Sequence, residues 1–594
     1  MSARLQPLVA FVPLLLVIAM PSPARAESPQ QKLAKLCDEF WQGYLQANPT
    51  RATSLGDKRY DDRLDDITPR GIAREKKRLE DTLARAREFD EHALSPQDRL
   101  TRAALVTEVE DNLAWTDCGL YEWTVDPLGG PQVGFMDLAE YTIIESPEDA
   151  SRYVKRIVAM GPYFDDHIAN LRSGKRHKKV AVRAAVEKTL DQLTRIARTP
   201  IESLGVWKPA TAPHPAWSPA ERERFAVDLG KAIQSSLLPG LERYRAFLDK
   251  EILPVSRPPE RAGLSDLPQG LDCYKRMIHV HTSLDMSPEE IHRLGLEEVA
   301  KFRHDLAALG QKVLGTSDVA EIQKRLRTDP AMHFKTSADV EAKARETLAR
   351  AQAAVPRWFG IQPKAPCEVK VIGMHEAPYT TIAYYREPSA DGKRPGAYMI
   401  KTYEPETRPR YEAEALAFHE SVPGHHLQIA IAQEVKGLPE FRKHQGVTAY
   451  VEGWALYTEH LADEMGLYSS DVDRLGMLSF DAWRACRLVV DTGIHSMGWS
   501  RQQAIDYMTE NSLLASNNIE NEVDRYIGWP GQALAYKIGQ REILNLRDEA
   551  KRRLGARFDI KAFHDAVLEN GAVALPVLRQ EVEAYIVRAE RAQP

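Results

Sequence analysis

The sequence is poor in several features that mark particular classes of protein. Its 594 residues contain five cysteines, which excludes a dense disulfide scaffold, and the odd number leaves at least one thiol unpaired. The 85 acidic and 79 basic residues give a net charge of −6, so the chain lacks the basic surface that nucleic-acid binding requires. The remaining composition, 43% hydrophobic and 28% charged, is typical of a folded globular protein.

Long hydrophobic runs are also absent. The longest, Leu8–Met20, has 13 residues, too few to span about 30 Å of hydrocarbon. Arg4 precedes it, and a small-x-small pattern ending at Ala26 follows it, which predicts a secretory signal peptide (residues 1–26) cleaved after Ala26. No cysteine lies near the cut, because the first is Cys37. We therefore expect a periplasmic or secreted protein without a stable membrane anchor. Export permits disulfides, but the sequence does not assign a pair.

Most of the chain is predicted to be α-helical. Four segments combine a capping serine, a proline at the first helical position and an acidic residue three positions after the serine. These predicted helix starts lie at Ser95, Ser146, Ser218 and Ser287. Two proline-rich stretches, Trp207–Pro219 and Pro254–Pro268, are either linkers or ordered surface loops. Just after the second proline-rich stretch, we divide the chain into an N-terminal helical region, 27–270, and a C-terminal helical region, 271–594.

One segment, 367–402, departs from the helical pattern. Three short runs rich in β-branched and aromatic residues, Cys367–Ile372, Ile382–Tyr385 and Tyr398–Thr402, are separated by turn-forming residues. They predict a small antiparallel sheet inside a mainly α-helical protein, close in sequence to the segment that carries the chemistry.

That segment is His419-Glu420-Ser421-Val422-Pro423-Gly424-His425-His426. The familiar zinc-protease pattern places two histidines four residues apart on one helical face, with a glutamate beside the first as general base. Here the second histidine comes six or seven residues later. On a regular helix His425 would point about 120° away from His419, and His426 would lie seven rises of about 1.5 Å along the axis.

Pro423 and Gly424 offer a solution to this spacing. Proline removes an amide donor and disturbs the preceding turn, and glycine tolerates unusual backbone angles. A two-residue bulge there would bring His425 to the place of an i+4 residue, and helix bulges favour functional sites. We predict His419 and His425 as zinc ligands, with His426 as the alternative second ligand. A histidine-rich turn without metal is the alternative for the whole motif.

A second cluster, Glu452–Glu459, supplies two acids seven residues apart on one helical face. Glu452 as third ligand would leave the fourth zinc position open, as in catalytic sites. Glu459 would then accept a hydrogen bond from the other ring nitrogen of a ligand histidine. The alternative is a solvated helix face, but Gly453 and Ala455 favour a closely packed helix.

The residue types suggest the chemistry. Zinc would activate water, and Glu420 would take its proton and deliver it to the leaving amine. The oxyanion needs a further donor, for which Tyr536 and His495 are candidates. Asp491, four residues before His495 on a predicted helix, would orient its ring. There are two alternatives to these roles. In one, Asp491 and His495 form a second metal site; in the other, Tyr536 and His495 are structural residues.

These motifs resemble the bacterial family known as domain of unknown function 885, whose members are expected to be zinc metallopeptidases. The resemblance covers nearly the full mature chain. The segments that carry it are Asn48–Asp57, Glu289–Gly295, Asp391–Gly396, His419–Gln428, Glu452–Tyr457 and Arg525–Tyr536.

The site is also similar to that of gluzincins whose first motif has a longer spacing between its two histidines, such as dipeptidyl peptidase III. Its second cluster is similar to the glutamate helix of the thimet oligopeptidase group. This similarity implies a large helical body with a deep active-site cleft and a small sheet whose edge strand pairs with an extended peptide. The chain departs from those enzymes in the longer spacing between its histidines.

We therefore expect an exported zinc peptidase that holds one Zn²⁺ per chain and hydrolyses peptide substrates. One alternative is a zinc-dependent amidase or cyclase acting on non-standard peptides or cell-wall fragments. Another is a non-catalytic, zinc-stabilised peptide-binding protein. Glu420 counts against the last, because structural zinc sites close all four positions and need no base.

Overall fold

The computed structural model describes residues 27–373, 377, 381–389, 392 and 394–591. Within them the protein is mainly α-helical, which confirms the predicted fold class. The predicted signal peptide, 1–26, lies outside the described residues. None of the described helices combines the length and the apolar character needed to cross a membrane.

The part of the chain before the sheet is built from helices joined by turns. They are α1 (Pro29–Ala47), α2 (Pro49–Ser54), α3 (Pro69–Arg87), α4 (Pro96–Cys118), α5 (Pro131–Asp137), α6 (Pro147–Arg176), α7 (Arg183–Arg198), α8 (Lys208–Thr211), α9 (Pro219–Ala232), α10 (Leu238–Phe247), α11 (Gly270–Thr282), α12 (Pro288–Leu314), α13 (Val319–Thr328) and α14 (Ser337–Ala354).

The remaining part holds the sheet and a second set of helices. They are β1 (Cys367–Val371), β2 (Ala383–Arg386), β3 (Gly396–Ile400), α15 (Ala413–Glu420), α16 (His425–Glu434), α17 (Glu440–His444), α18 (Thr448–Glu464), α19 (Asp471–Ser496), α20 (Arg501–Asn511), α21 (Ser516–Gly528), α22 (Ala535–Leu554), α23 (Ile560–Leu568) and α24 (Leu575–Arg591).

The four predicted Ser-Pro helix starts are confirmed. The serine before each of α4, α6, α9 and α12 accepts a hydrogen bond from the amide three residues later, and proline occupies the first helical position. At α6, α9 and α12 the acidic side chain also bonds back to the serine amide, completing a capping box.

The sheet is mixed, and the predicted all-antiparallel arrangement is wrong in this respect. β3 lies in the middle, antiparallel to β2 and parallel to β1. Tyr385 is opposite Tyr398, and Cys367 is opposite Gly396. β2 occupies one side of β3, and β1 pairs with the other side and runs in the same direction as β3. All five residues of β3 are buried, and β1 and β2 form the edges.

Three large apolar clusters make up most of the core. Residues 33–109 form one with Phe441, and residues 125–252 form a second. The largest runs from Cys118 to Ile586 and contains the helices that follow the sheet. Because this cluster includes Trp123 and Val182, apolar packing continues across residue 270, where the sequence suggests a boundary between regions.

A disulfide joins Cys118 at the end of α4 to Cys273 in α11, 155 residues apart. It therefore links the N-terminal and C-terminal regions covalently. Cys37, Cys367 and Cys486 are free thiols, and all three are buried.

Candidate metal centre

The histidine motif forms a break between two helices. α15 ends at Glu420, and α16 begins at His425. The helix is thus interrupted, whereas the sequence suggested a bulge within one continuous helix. Gly424 is required here, because a Cβ atom on it would lie 2.0 Å from the carbonyl oxygen of His419. The break brings the rings of His419 and His425 into edge-to-face contact, with centroids 4.8 Å apart.

Glu452 of α18 completes a triad with these two histidines. One potential ligand atom from each of the three residues lies within 4.8 Å of the others, and this is the one such group among the described residues. Glu452 Oε2 lies 3.4 Å from Nε2 of His425 and 3.6 Å from Nε2 of His419. The sequence-predicted ligand set therefore converges on one point.

The spacing of these atoms fits a zinc ion. Nitrogen and oxygen ligands about 2.0–2.2 Å from one zinc lie about 3.3–3.6 Å from each other at the tetrahedral angle, which matches the two distances from Glu452 to the histidines. Glu452 Oε2 is buried and has no hydrogen-bond partner in the described part of the chain. A buried carboxylate oxygen without a donor is unfavourable, and a bound cation would compensate it.

The electrostatics of the triad also favour a cation. Burial alone would lower the pKa of His419, but Glu452 and Glu459 outweigh burial and raise that pKa to about 9. Burial alone would raise the pKa of Glu452, but His425 and His419 outweigh it and hold that pKa well below its usual range. The carboxylates beside these histidines therefore stabilise positive charge at this point of the site.

Glu459 fixes the orientation of the first histidine. Its Oε1 lies 2.8 Å from Nδ1 of His419, and its side chain is fully buried. With Nδ1 donating to Glu459, Nε2 of His419 is the nitrogen that faces Glu452. Carboxylates commonly orient ligand histidines in this way.

His426 points away from the triad. Its Nδ1 lies 3.0 Å from the hydroxyl of Tyr385, and its Nε2 lies 3.0 Å from the carbonyl oxygen of Ala365. Burial lowers the pKa of His426 to about 4, which keeps the ring neutral. Because both ring nitrogens are bonded near the sheet, His425 is the histidine available to a metal.

Glu420 and Tyr536 line the same cavity as the triad, which has a volume of about 1100 Å³. Burial raises the pKa of Glu420. The Tyr536 ring stacks on His419, with centroids 6.5 Å apart. The Tyr536 hydroxyl accepts hydrogen bonds from Arg525 and Gln532 at 3.2 and 3.3 Å, which leaves its own hydrogen free to donate.

His495 and Asp491 do not join this site. His495 Nδ1 accepts from the amide of Leu264, and its Nε2 donates to the carbonyl of Tyr526. Asp491 instead accepts from the hydroxyl of Tyr274 and the amide of Gly531. The predicted Asp491–His495 pair is therefore not formed, and neither residue lines the cavity. Among the described residues, neither belongs to a group of three or more potential metal ligands. The i+4 spacing gave no information about these competing partners.

Three arginines of the cavity wall were not singled out from the sequence. Arg484 and Arg487 belong to α19, and Arg525 belongs to α21. The available signal is a pair of arginines at i and i+3 inside the otherwise apolar stretch 482–490 of α19, which places two charges on one buried face.

Comparisons with known proteins agree with the fold. A family model described as a bacterial protein of unknown function, DUF885, matches residues 49–582. No curated protein matches the chain.

Two solved structures share the fold. A proposed lipoprotein from Colwellia psychrerythraea is 24% identical and has a TM-score of 0.90, over 95% of this chain and 100% of that one. A proposed lipoprotein of unknown function from Shewanella oneidensis is 18% identical and has a TM-score of 0.71, over 93% of this chain and 99% of that one. At these identities the likeness concerns the fold alone. Since the family model spans most of the sequence, the chain belongs to the bacterial family DUF885.

Proposed function

We propose that this protein is an exported, gluzincin-like zinc peptidase. The observation that carries the proposal is the convergence of His419, His425 and Glu452 beside Glu420 in one cavity. Two imidazoles and one carboxylate are the ligand set of catalytic zinc sites that keep a position open, and a closed structural site needs no adjacent base.

The residues around the triad have distinct roles in this proposal. Bound zinc supplies Lewis acidity, which acidifies water and polarises an amide carbonyl. Glu420 accepts the water proton and returns it to the leaving amine, and its raised pKa suits both directions of transfer. Tyr536 donates a hydrogen bond to the oxyanion that develops on the scissile carbonyl.

The cavity suits an extended peptide. β2 is an edge strand whose residues Ala383, Tyr384 and Tyr385 line the cavity. No other described strand pairs with its outer edge. An edge strand can bind a peptide through main-chain hydrogen bonds, which is a common mode of peptide recognition. The lining also includes residues of the N-terminal region, among them Leu128, Gln132 and Ile196.

Two observations support a periplasmic or extracellular location. The Cys118–Cys273 disulfide is of a kind that persists in oxidising compartments. Both structural neighbours are described as proposed lipoproteins, which are proteins of the cell envelope. Together with the predicted signal peptide, these observations favour export.

A mixed peptide library tests the proposal. We expect the zinc-loaded protein to cleave peptide bonds, chelation to abolish cleavage, and added zinc to restore it. Glu420→Gln should keep its zinc but lose about 10²- to 10⁴-fold in rate, because the amide cannot accept the water proton. Rates within a few fold of the wild type would contradict the role of Glu420.

The same assay separates the alternatives. Cleavage of cell-wall fragments without cleavage of ordinary peptides would indicate the amidase function. Zinc-dependent binding of peptides without any cleavage would indicate a non-catalytic binding protein. Either outcome would overturn the peptidase proposal.

A further inference from the structure

The wall of the cavity next to the triad contains a cluster of three arginines, Arg484, Arg487 and Arg525. Arg484 and Arg487 are 3% and 1% exposed, so their charges are almost fully removed from bulk water. Buried guanidinium groups are unfavourable unless anions compensate them.

Arg487 is held rigidly at the centre of the cluster. Its guanidinium lies between two aromatic rings, 4.5 Å from the centroid of Trp483 and 4.3 Å from that of Tyr536. Its Nε donates to the hydroxyl of Tyr526, and its Nη2 donates to Glu522 at 2.9 Å. The remaining nitrogen, Nη1, is buried and has no acceptor in the described part of the chain.

The other two arginines are also incompletely satisfied. Arg525 donates to Gln532 and Tyr536 and lies 3.5 Å from Glu522, but its Nε has no acceptor among the described residues. Arg484 lies 3.9 Å from Glu459, and its Nε is also without an acceptor there.

Among the described residues, the guanidinium groups of the cluster outnumber the carboxylates that lie within 4.0 Å of them. The three guanidinium groups share two carboxylates, Glu459 and Glu522. Glu459 Oε1 already accepts a hydrogen bond from Nδ1 of His419 at 2.8 Å. Within the described part of the chain, Nη1 of Arg487 and Nε of Arg484 and Arg525 therefore remain as unfilled donor positions in the cavity wall, and this rigid wall would lose little conformational entropy on binding an anion.

We propose that Arg484, Arg487 and Arg525 form a subsite that binds a carboxylate group of the substrate. Arginine forks recognise carboxylates through paired, charge-assisted hydrogen bonds. The carboxylate comes either from the C terminus of the peptide or from an aspartate or glutamate side chain. This inference rests on the proposed function, because it takes the ligand to be a peptide.

The position of the subsite favours the peptide C terminus. The Tyr536 ring contacts both His419 of the triad and Arg487 of the cluster, so a single side chain separates the two sites. An extended peptide advances about 3.3–3.6 Å per residue, so up to about three residues beyond the scissile bond would bridge the separations of 6.5 Å and 4.3 Å on the two sides of the Tyr536 ring. A C-terminal carboxylate bound there would make the enzyme a carboxypeptidase that releases a short C-terminal fragment.

Peptide binding to the zinc-loaded Glu420→Gln protein tests the subsite without interference from turnover. Calorimetry would compare three peptides of one sequence: a free acid, a C-terminal amide, and an amide with one internal glutamate. We expect the free acid to bind about 10- to 100-fold more tightly than the amide. Equally tight binding by the glutamate-containing amide would assign the subsite to side-chain carboxylates. Equal affinities for all three peptides would overturn the inference.

A second substitution, added to the Glu420→Gln protein, tests whether the preference for the free-acid peptide depends on the arginine cluster. Adding Arg525→Gln should reduce the ratio of acid to amide affinity at least several fold, because only the free acid offers a carboxylate to this arginine. Arg501→Gln, which removes an arginine that pairs with Asp524, is the matched control and should leave the ratio unchanged. An unchanged ratio in folded Arg525→Gln and Arg487→Lys proteins would also overturn the inference.

These measurements separate the two proposals. Loss of the acid preference in a protein that still cleaves peptides would contradict the subsite alone. Absence of cleavage by the wild-type protein would contradict the proposed function, and the acid preference would remain measurable by binding.

Discussion

At the scale of single residues, the site depends on the directions in which neighbouring rings point. His425 and His426 are adjacent in sequence and both buried, but His425 faces Glu452 while His426 bonds Tyr385 and Ala365. Successive residues of α16 are rotated by about 100°, which is why adjacent histidines serve different surroundings.

This difference predicts unequal effects of two otherwise identical substitutions. His425→Ala removes a proposed ligand and should lower zinc affinity by more than the roughly 10- to 100-fold typical of a residue that only orients a ligand. His426→Ala should bind zinc nearly as well as the wild type, because its contacts are to the sheet. Zinc titration against a competing chelator measures both affinities, and a larger loss in His426→Ala would show that the ligand assignment is wrong.

At the scale of helices and strands, the close packing of α18 against α22 positions Glu452. A Cβ atom on Gly453 would lie 2.4 Å from the carbonyl carbon of Gly539, which is backbone and cannot rotate away. The two glycines therefore let the helix axes approach, and Glu452 lies one residue from this contact.

Gly453→Ala should accordingly destabilise the protein and weaken the proposed zinc site. Overpacking of this kind costs about 1–3 kcal/mol in the free energy of unfolding. Gly134→Ala in α5 is the control, since a Cβ there meets no atom within 4 Å. It should leave stability unchanged or raise it by up to about 1 kcal/mol, because alanine favours helix. Denaturant unfolding of both variants tests this, and equal stabilities would refute the packing argument.

Elements specified by local interactions were predictable from the sequence, and those specified by distant contacts were less so. The serine caps of α4, α6, α9 and α12 involve residues three positions apart, so the pattern alone identifies them. The parallel pairing of β1 with β3 joins segments separated by β2, and no local signal specifies its direction.

The convergence of His419, His425 and Glu452 was predictable because the residue types and spacing of metal sites are chemically constrained. The structure of the break at Ser421–Gly424 was only partly predictable, since proline and glycine indicate an irregularity without giving its shape. The Arg484, Arg487 and Arg525 cluster was missed because it combines two helices distant in sequence.

At the scale of the whole molecule, the disulfide and the largest apolar cluster join the two sequence regions. Cys118 and Cys273 are bonded across 155 residues, and the cavity wall takes residues from both regions. The cavity therefore requires both regions to be folded together.

Thiol counting tests this connection. The unfolded but unreduced protein should expose three reactive thiols, from Cys37, Cys367 and Cys486, and reduction should raise the number to five. Five thiols before reduction in protein purified from the periplasm would contradict the disulfide.

The central claim is that His419, His425 and Glu452 hold one zinc ion. Elemental mass spectrometry of the purified mature chain and of His419→Ala, each dialysed after exposure to zinc, tests it most directly. We expect about one zinc per wild-type chain and almost none in His419→Ala, because losing one of three ligands removes a bond to the ion. A fully metallated His419→Ala protein, or a wild-type chain that retains no zinc, would contradict the claim.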